Sequence, residues 1–232
     1  MVLYALGAIA FWFLEFLLQY YWLTPGFNSE LSLIRSFSLT GATLIGLALS
    51  LSVIFRWAPH TAQYWRVRRY LGVSGAVFAS LHAFSAQYLL FSFDLKLAYF
   101  SFNPIVNPIV FGTVGLFIFL VMAFTSSDWA VQKLTPRVWK FIHRFVYVAF
   151  LASVFHFLLM NPIALKNPPG YLLLAVSAFV LAGHLQLFIK TAWRRRFRSP
   201  GSWAGIAIIA GTLGTAYLAR EGLMSAFLIL FS

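Results

Sequence analysis

The 232-residue sequence contains no cysteine. This absence excludes disulfide bonds, iron–sulfur clusters held by cysteine, and thiolate metal ligands. Charged residues are also scarce: they make up 9% of the chain, whereas about a quarter of an average soluble domain is charged. Hydrophobic residues make up 61%. A chain with so little polar surface cannot cover itself in water, so we predict that its solvent is a lipid bilayer.

Acidic residues are the rarest charged class, with 5 Asp and Glu against 17 Lys and Arg. In a soluble protein this excess would suggest a nucleic-acid partner. Here the basic residues fall in short stretches between apolar runs, which indicates membrane topology and no nucleic acid. The sequence also lacks a P-loop and a Gly-rich dinucleotide fingerprint after a strand, so it contains no recognisable nucleotide site of its own.

Apolar runs of about 20 residues, the length needed to cross a membrane, recur along the chain. They lie near 2–23, 37–56, 71–92, 105–124, 139–160 and 171–190, with a seventh over about 203–219. The nine prolines lie in the connections or at helix ends, as helix breakers should. The pattern predicts an all-α, polytopic transmembrane helix bundle of six core helices plus a seventh, forming one domain over 1–232 in contact with membrane lipid.

Basic residues mark alternate connections between these runs. They are Arg56, Arg66, Arg68 and Arg69 after the second run, Lys133, Arg137, Lys140 and Arg144 after the fourth, and Lys190, Arg194, Arg195, Arg196 and Arg198 after the sixth. Because short basic loops stay on the cytoplasmic side, we predict a multi-pass protein with a cytoplasmic N-terminus. The third and fifth helices then both run from inside to outside.

Four of the five histidines lie inside apolar helices, where an ionisable side chain is a functional candidate by default. His82 follows Arg69 by 13 residues and His156 follows Arg144 by 12. At 1.5 Å per residue, both imidazoles lie roughly 18–20 Å beyond the cytoplasmic charges, with no carboxylate at that depth. Two neutral imidazoles at one level suit haem iron bound on both faces. The alternative is that each histidine only hydrogen-bonds a neighbouring helix; zinc is disfavoured because no further ligand occurs there.

His143 and His184 lie nearer the cytoplasmic side. The 13 residues between His143 and His156 make about 3.6 turns, so on a straight helix the two would not share a face, and a bend or bulge would be needed. His184 could pair with His143, or it could be a buried structural histidine.

Two stretches carry a resemblance to a known family. One is Arg68-Arg69-Tyr70-Leu71-Gly72-Val73, leading to Ala79-Ser80-Leu81-His82, and the other is Ala123-Phe124-Thr125-Ser126-Ser127, followed by Trp139, His143, Val146-Tyr147 and His156. Over roughly 37–190 the chain resembles the MsrQ (YedZ) family, within the ferric-reductase-like transmembrane superfamily. The extra C-terminal helix and His184 depart from that pattern.

The resemblance implies a haem b electron-transfer subunit of the cell inner membrane, an oxidoreductase component rather than a complete enzyme. Such a subunit takes electrons from a cytoplasmic flavin reductase or quinol and passes them to MsrP, a periplasmic molybdopterin reductase of methionine sulfoxide. By position, His82, His143 and His156 match the family's haem-associated histidines, and Arg68 and Arg69 match its arginine pair.

At the inner level the resemblance leaves the ligand open. The wider superfamily has a second histidine on the third helix, where this chain has Arg68 or Arg69. The implied cofactors are therefore one haem b or two, with FMN or a quinone as further occupants of the inner site. Arg68, Arg69 and Arg144 would meet acidic or carbonyl groups of that occupant or haem propionates, or they serve topology alone.

Two other functions compete with an electron-transfer subunit. A terminal reductase of ferric chelates or oxygen would need a flavin donor, and the sequence shows no fused donor domain. A haem-free transporter would need polar residues along a path and helices broken near the midplane, and few such residues are present.

Overall fold

The computed structural model describes residues 2–160 and 167–194. Over these residues the chain forms nine α-helices, joined by short π- and 3₁₀-helical turns and loops, and no strand occurs in this part of the chain. The helices are α1 (Val2–Leu18), α2 (Ser29–Trp57), α3 (Trp65–Leu89), α4 (Leu95–Ala98), α5 (Ile109–Thr125), α6 (Asp128–Lys133), α7 (Pro136–Arg144), α8 (Val146–Met160) and α9 (Pro168–Arg194). The predicted all-α helix bundle is confirmed.

The helix boundaries differ from the predicted runs where polar residues begin a helix. α2 starts at Ser29 rather than near 37, because the Asn28 side chain accepts a hydrogen bond from the Leu31 amide and caps the first turn. α3 starts at Trp65 and contains Arg66, Arg68 and Arg69, which were assigned to the preceding loop, while Arg56 lies in the last turn of α2. A hydropathy pattern detects apolar residues and therefore misses polar first turns.

In the described part of the chain, four helical segments are long and apolar enough to cross a membrane. They are Val2–Leu23, Ser29–Trp57, Pro136–Met160 and Pro168–Lys190. Ile109–Thr125 is apolar but shorter, and α3 is long enough but richer in polar residues, including Ser74, His82 and Ser85. The seventh predicted helix, about 203–219, lies outside the described residues.

The chain divides into two compact units, Met1–Leu181 and Ala182–Ser232. The first has a core from five helices, made of Ile45, Leu49, Ala76, Phe119, Val146, Ala149, Phe150 and Val180. The described part of the second unit is the end of α9, which contains His184.

The most extensive helix contact in the first unit joins α2 to α3, whose backbones approach closely at two glycines. A Cβ added at Gly41 would lie 2.9 Å from the Ala79 amide nitrogen, and one at Gly75 would lie 3.0 Å from the Gly41 carbonyl oxygen. Only glycine fits at both positions, and such close approach is typical of small residues between membrane helices.

Apolar side chains cover the outside, whereas hydroxyl side chains lie inside. Phe84, Phe117 and Phe124 are each more than 60% exposed, while Ser32 and Ser36 of α2 are fully buried. These two hydroxyls donate to carbonyls of the preceding turn, Asn28 and Leu33. An apolar exterior of this extent suits contact with lipid.

Candidate functional site

The structure brings His82 of α3 and His156 of α8 together. Their ring centroids are 6.2 Å apart, and the ring planes are inclined by 62°. Both side chains are partly buried within the first unit. The equal depths counted along the two helices thus correspond to side chains that face each other.

The Nδ1 atom of each ring makes a hydrogen bond to a backbone carbonyl, one within another helix and one at the residue just before a helix. His82 Nδ1 lies 3.0 Å from the Ile34 carbonyl oxygen, and His156 Nδ1 lies 2.9 Å from that of Pro108. A carbonyl oxygen can only accept a hydrogen bond, so Nδ1 is the protonated nitrogen in both rings. In a neutral imidazole the other nitrogen, Nε2, then carries the lone pair that binds a metal.

The Pro108 carbonyl is positioned by a buried amide. The Asn107 side chain is 1% exposed, donates to the Ala98 and Ser101 carbonyls at 2.9 and 3.2 Å, and accepts from the Ile109 amide at 3.2 Å. These bonds hold the turn before α5 against the preceding loop. The acceptor for His156 is therefore part of a rigid connection.

His143 belongs to a different cluster. The Trp139 indole stacks on its ring with centroids 3.9 Å apart, and His143 Nε2 lies 3.2 Å from the Thr125 hydroxyl. Trp139 Nε1 also donates to the Thr125 carbonyl oxygen at 3.1 Å. Three residues on α5 and α7 thus hold one another at the end of the bundle that carries the arginines.

A break in the predicted fifth helix separates His143 from His156. α7 ends at Arg144 and α8 begins at Val146, and at Phe145 the amide bonds to the Ile142 carbonyl, three residues back, at 3.1 Å. This interruption is the kind of bend that His143 and His156 would need in order to share a face. It does not bring His143 to the His82–His156 pair.

The three candidate arginines have different environments. Arg69 Nη1 donates to Asp128 Oδ1 at 2.6 Å. Arg68 is half-buried and interacts electrostatically with Tyr147 and His143, and among the described residues no carboxylate lies within ion-pair distance of it. Arg144 is exposed. Of the three, Arg68 is the cation that is partly buried and has no carboxylate partner among the residues that the structure describes.

A family model described as the ferric reductase like transmembrane component matches residues 32–154. The chain belongs to this family. The match contains His82, His143 and all three candidate arginines, and it ends two residues before His156.

Curated relatives narrow the comparison within the ferric-reductase-like family. The protein-methionine-sulfoxide reductase heme-binding subunit MsrQ of Brucella ovis is 32% identical over 95 residues, which cover 40% of this chain and 42% of that protein. The subunit of the same name from Brucella anthropi is 30% identical over 97 residues, which cover 41% of this chain and 43% of that protein. The chain thus spans less than half the length of these relatives.

A metal site built from protein ligands alone is not found in the described part of this family member. No group of three or more His, Asp or Glu side chains that could hold a metal occurs there. The His82–His156 pair could supply two ligands on opposite sides of an ion whose remaining ligands come from a cofactor, as in a porphyrin.

Sequence reasoning missed the groups that orient the pair. Pro108 was predicted only as one of the prolines in connections or at helix ends, and Asn107 was not singled out, although Asn followed by Pro is itself a signal of a turn. The acceptors on Ile34 and Pro108 are backbone carbonyls, which every residue has, so no residue type could have indicated them. His60 lies exposed in the 3₁₀ turn Pro59–Tyr64, and His184 lies in the second unit.

Proposed function

We propose that this chain is a haem b electron-transfer subunit in which His82 and His156 are the two axial ligands. The observation that carries the proposal is the pair itself: two imidazoles with centroids 6.2 Å apart, each donating a hydrogen bond from Nδ1–H to a carbonyl oxygen. The lone pair of each ring is then on Nε2, which would be the ligand nitrogen. The MsrQ relatives are named heme-binding subunits, which supports the same cofactor for this chain.

The distance between the rings fits a single ion between them. With a metal–nitrogen bond of about 2.0 Å and a ring radius of about 1.1 Å, two imidazoles on opposite sides of one ion have centres about 6 Å apart. The observed centroid separation is 6.2 Å. When bound, haem would supply four further nitrogen ligands and a one-electron couple.

The protein's own contribution would be to hold two neutral ligands in fixed orientation. The Ile34 and Pro108 carbonyls fix the tautomer and the ring direction, and a hydrogen bond from Nδ1 raises the basicity of Nε2. A ligand that cannot rotate keeps its position when the cofactor gains or loses an electron. Phe155, which precedes His156, packs against Phe111, three residues after Pro108, and these two rings keep the surroundings apolar.

For the inner level, we propose that Arg68 meets an acidic or carbonyl group of a second occupant, because Arg68 precedes His82 by 14 residues, about 21 Å along α3, which is too far for a haem between His82 and His156. Arg69 is less suited because its guanidinium is already paired with Asp128, and Arg144 is exposed. His143 would have to leave Thr125 to bind a second haem through Nε2. We therefore propose one haem, held by His82 and His156, and an FMN or a quinone as the occupant of the inner level near Arg68.

We further propose that electrons enter from a cytoplasmic flavin reductase or quinol and leave to an MsrP-like molybdopterin reductase outside the inner membrane. The name of the Brucella relatives, subunits of a protein-methionine-sulfoxide reductase, supports the acceptor. The alternating basic connections support a cytoplasmic N-terminus. A terminal reduction of ferric chelates or oxygen is the second candidate, favoured by the family description.

The test of the haem ligands is haem content per chain, measured by pyridine hemochrome on detergent-purified protein. His82→Ala and His156→Ala should each lose the low-spin haem spectrum, because each removes one axial ligand. His60→Ala is the matched control, since this histidine is exposed in a turn, and it should keep wild-type haem content. Full haem retention in either ligand variant, or a folded wild type that stays colourless after haem supplementation, would contradict the proposal.

The acceptor is tested with the dithionite-reduced wild type, by following reoxidation in a stopped-flow spectrometer without oxygen. An MsrP-type reductase with methionine sulfoxide should reoxidise the protein faster than a ferric chelate does. Faster reoxidation by the chelate, or by added oxygen, would replace the proposed acceptor with the second candidate.

A further inference from the structure

Gly112 of α5 lies directly against the His156 ring. A Cβ added at this glycine would lie 3.0 Å from His156 Nδ1 and 3.1 Å from both Cγ and Cε1. Three nearly equal distances to consecutive ring atoms place that Cβ over the face of the imidazole and not beyond its edge. Ordinary contacts between such atoms are about 3.5–4.0 Å, so any side chain at 112 would push or tilt the ring.

Pro108 and Gly112 act on the same ring from one turn of chain. They are four residues apart, which places them one above the other on the same side of α5. The Pro108 carbonyl accepts the Nδ1 proton in the plane of the ring, while the bare backbone at Gly112 limits how far the ring can turn. Together they determine the orientation of the His156 imidazole plane, which is inclined by 62° to that of His82.

We infer that Gly112 is a positioning residue for His156: by lacking a side chain it sets the angle between the two imidazole planes and hence the electronic properties of the bound haem. The inference rests on the proposed function, in which both histidines are axial ligands. The physical reason is that the plane of an axial imidazole determines how its π orbitals overlap with those of the iron. Ligand orientation and hydrogen bonding to the ligand are the protein's means of tuning the metal.

Gly115 provides a matched comparison on the same helix. A Cβ at Gly115 would lie 2.8 Å from the Ser153 hydroxyl and 3.1 Å from the Ala149 carbonyl oxygen, so this glycine also packs on α8 but meets no histidine. Gly115→Ala therefore disturbs the α5–α8 packing away from the histidines, whereas Gly112→Ala disturbs the same packing at the His156 ring.

The experiment compares Gly112→Ala, Gly115→Ala and wild type, purified with haem bound. The readouts are the g values of the ferric low-spin EPR signal, which depend on the angle between the imidazole planes, and the midpoint potential from a spectroscopic redox titration. Gly112→Ala should shift both the largest g value and the potential. Gly115→Ala should lower the thermal unfolding temperature and leave both readouts at wild-type values.

Detaching the imidazole ligand of position 156 from the chain provides a second readout. In His156→Gly supplied with free imidazole, the ligand is no longer attached to α8, so adding Gly112→Ala should cause a much smaller EPR shift than it does in the wild type. If Gly112→Ala alone does not fold, the double variant with His156→Gly should recover folded protein, because the ring that met the new Cβ is gone.

Several results would overturn the inference. These are wild-type g values and potential in Gly112→Ala, equal shifts in the two glycine variants, or a misfolded Gly112→Ala that His156→Gly does not rescue. A failure of the proposed function looks different: the wild type then binds no haem, or its haem persists in His82→Ala and His156→Ala.

Discussion

The Trp139 indole lies flat on the His143 imidazole, with ring centroids 3.9 Å apart and planes inclined by 23°. The same indole donates from Nε1 to the Thr125 carbonyl oxygen, while the Thr125 hydroxyl contacts His143 Nε2. A histidine held in this way joins α7 to α5. Its environment is that of a structural residue.

We therefore predict that His143→Ala destabilises the protein by about 1–2 kcal/mol, through loss of one hydrogen bond and one stacked ring pair, and keeps most of the haem. Thermal unfolding in detergent and pyridine hemochrome measure the two effects. Thr125→Val, which removes only the hydroxyl, should cost less. Loss of all haem in His143→Ala would instead make this histidine a ligand.

The neighbouring arginines should respond differently to the same substitution. Arg69→Gln breaks an ion pair whose Asp128 side chain is 83% exposed, so it should cost less than about 1 kcal/mol and leave binding at the inner level unchanged. Arg68→Gln removes a half-buried positive charge beside the proposed FMN or quinone. It should weaken binding of that occupant roughly tenfold, through loss of one charge-assisted hydrogen bond. Equilibrium binding of FMN, and separately of a short-chain quinone, to both detergent-purified variants is the measurement, and equal affinities would show that Arg68 serves topology alone.

The glycines of α3 allow a test of the α2–α3 contact. Gly75→Ala should destabilise the bundle by about 1–3 kcal/mol, because the new Cβ would lie 3.0 Å from the Gly41 carbonyl oxygen and 3.1 Å from the Ile45 amide nitrogen. Gly72→Ala is the control, since its Cβ would meet only the Ala48 Cβ, at 3.9 Å. Thermal unfolding of both variants decides, and equal stability would mean that the two helices are not in tight contact.

The turn before α5 should be sensitive to its buried amide. Asn107→Ala removes the donor to the Ala98 and Ser101 carbonyls, and each carbonyl left unpaired costs about 1–3 kcal/mol. Because the next residue supplies the acceptor for His156, haem should also dissociate faster, as measured by transfer to apomyoglobin. Asn103→Ala is the control: this exposed residue makes a single side-chain bond, from the Ile105 amide, and should leave haem release unchanged.

The sequence alone determined the solvent of this protein, its helical class and the common depth of two histidines. These properties are local: apolar length, proline positions and 1.5 Å of rise per residue can be counted along one segment. The family resemblance could be recognised for the same reason, because its motifs are short stretches around His82 and His143.

Only the tertiary structure decided which groups each histidine contacts. His82 and His156 each make a hydrogen bond to a carbonyl 48 residues away in the sequence. Gly112 lies against the imidazole ring of another helix, and Arg69 pairs with a carboxylate 59 residues later. Such contacts depend on the rotation of each helix about its axis and on the angles at which helices cross. The hydropathy of a sequence determines neither of these. Two histidines that look alike in an apolar run, His143 and His156, therefore have different partners. His143 contacts the Thr125 hydroxyl through Nε2, whereas His156 contacts the Pro108 carbonyl through Nδ1, which leaves the lone pair on Nε2.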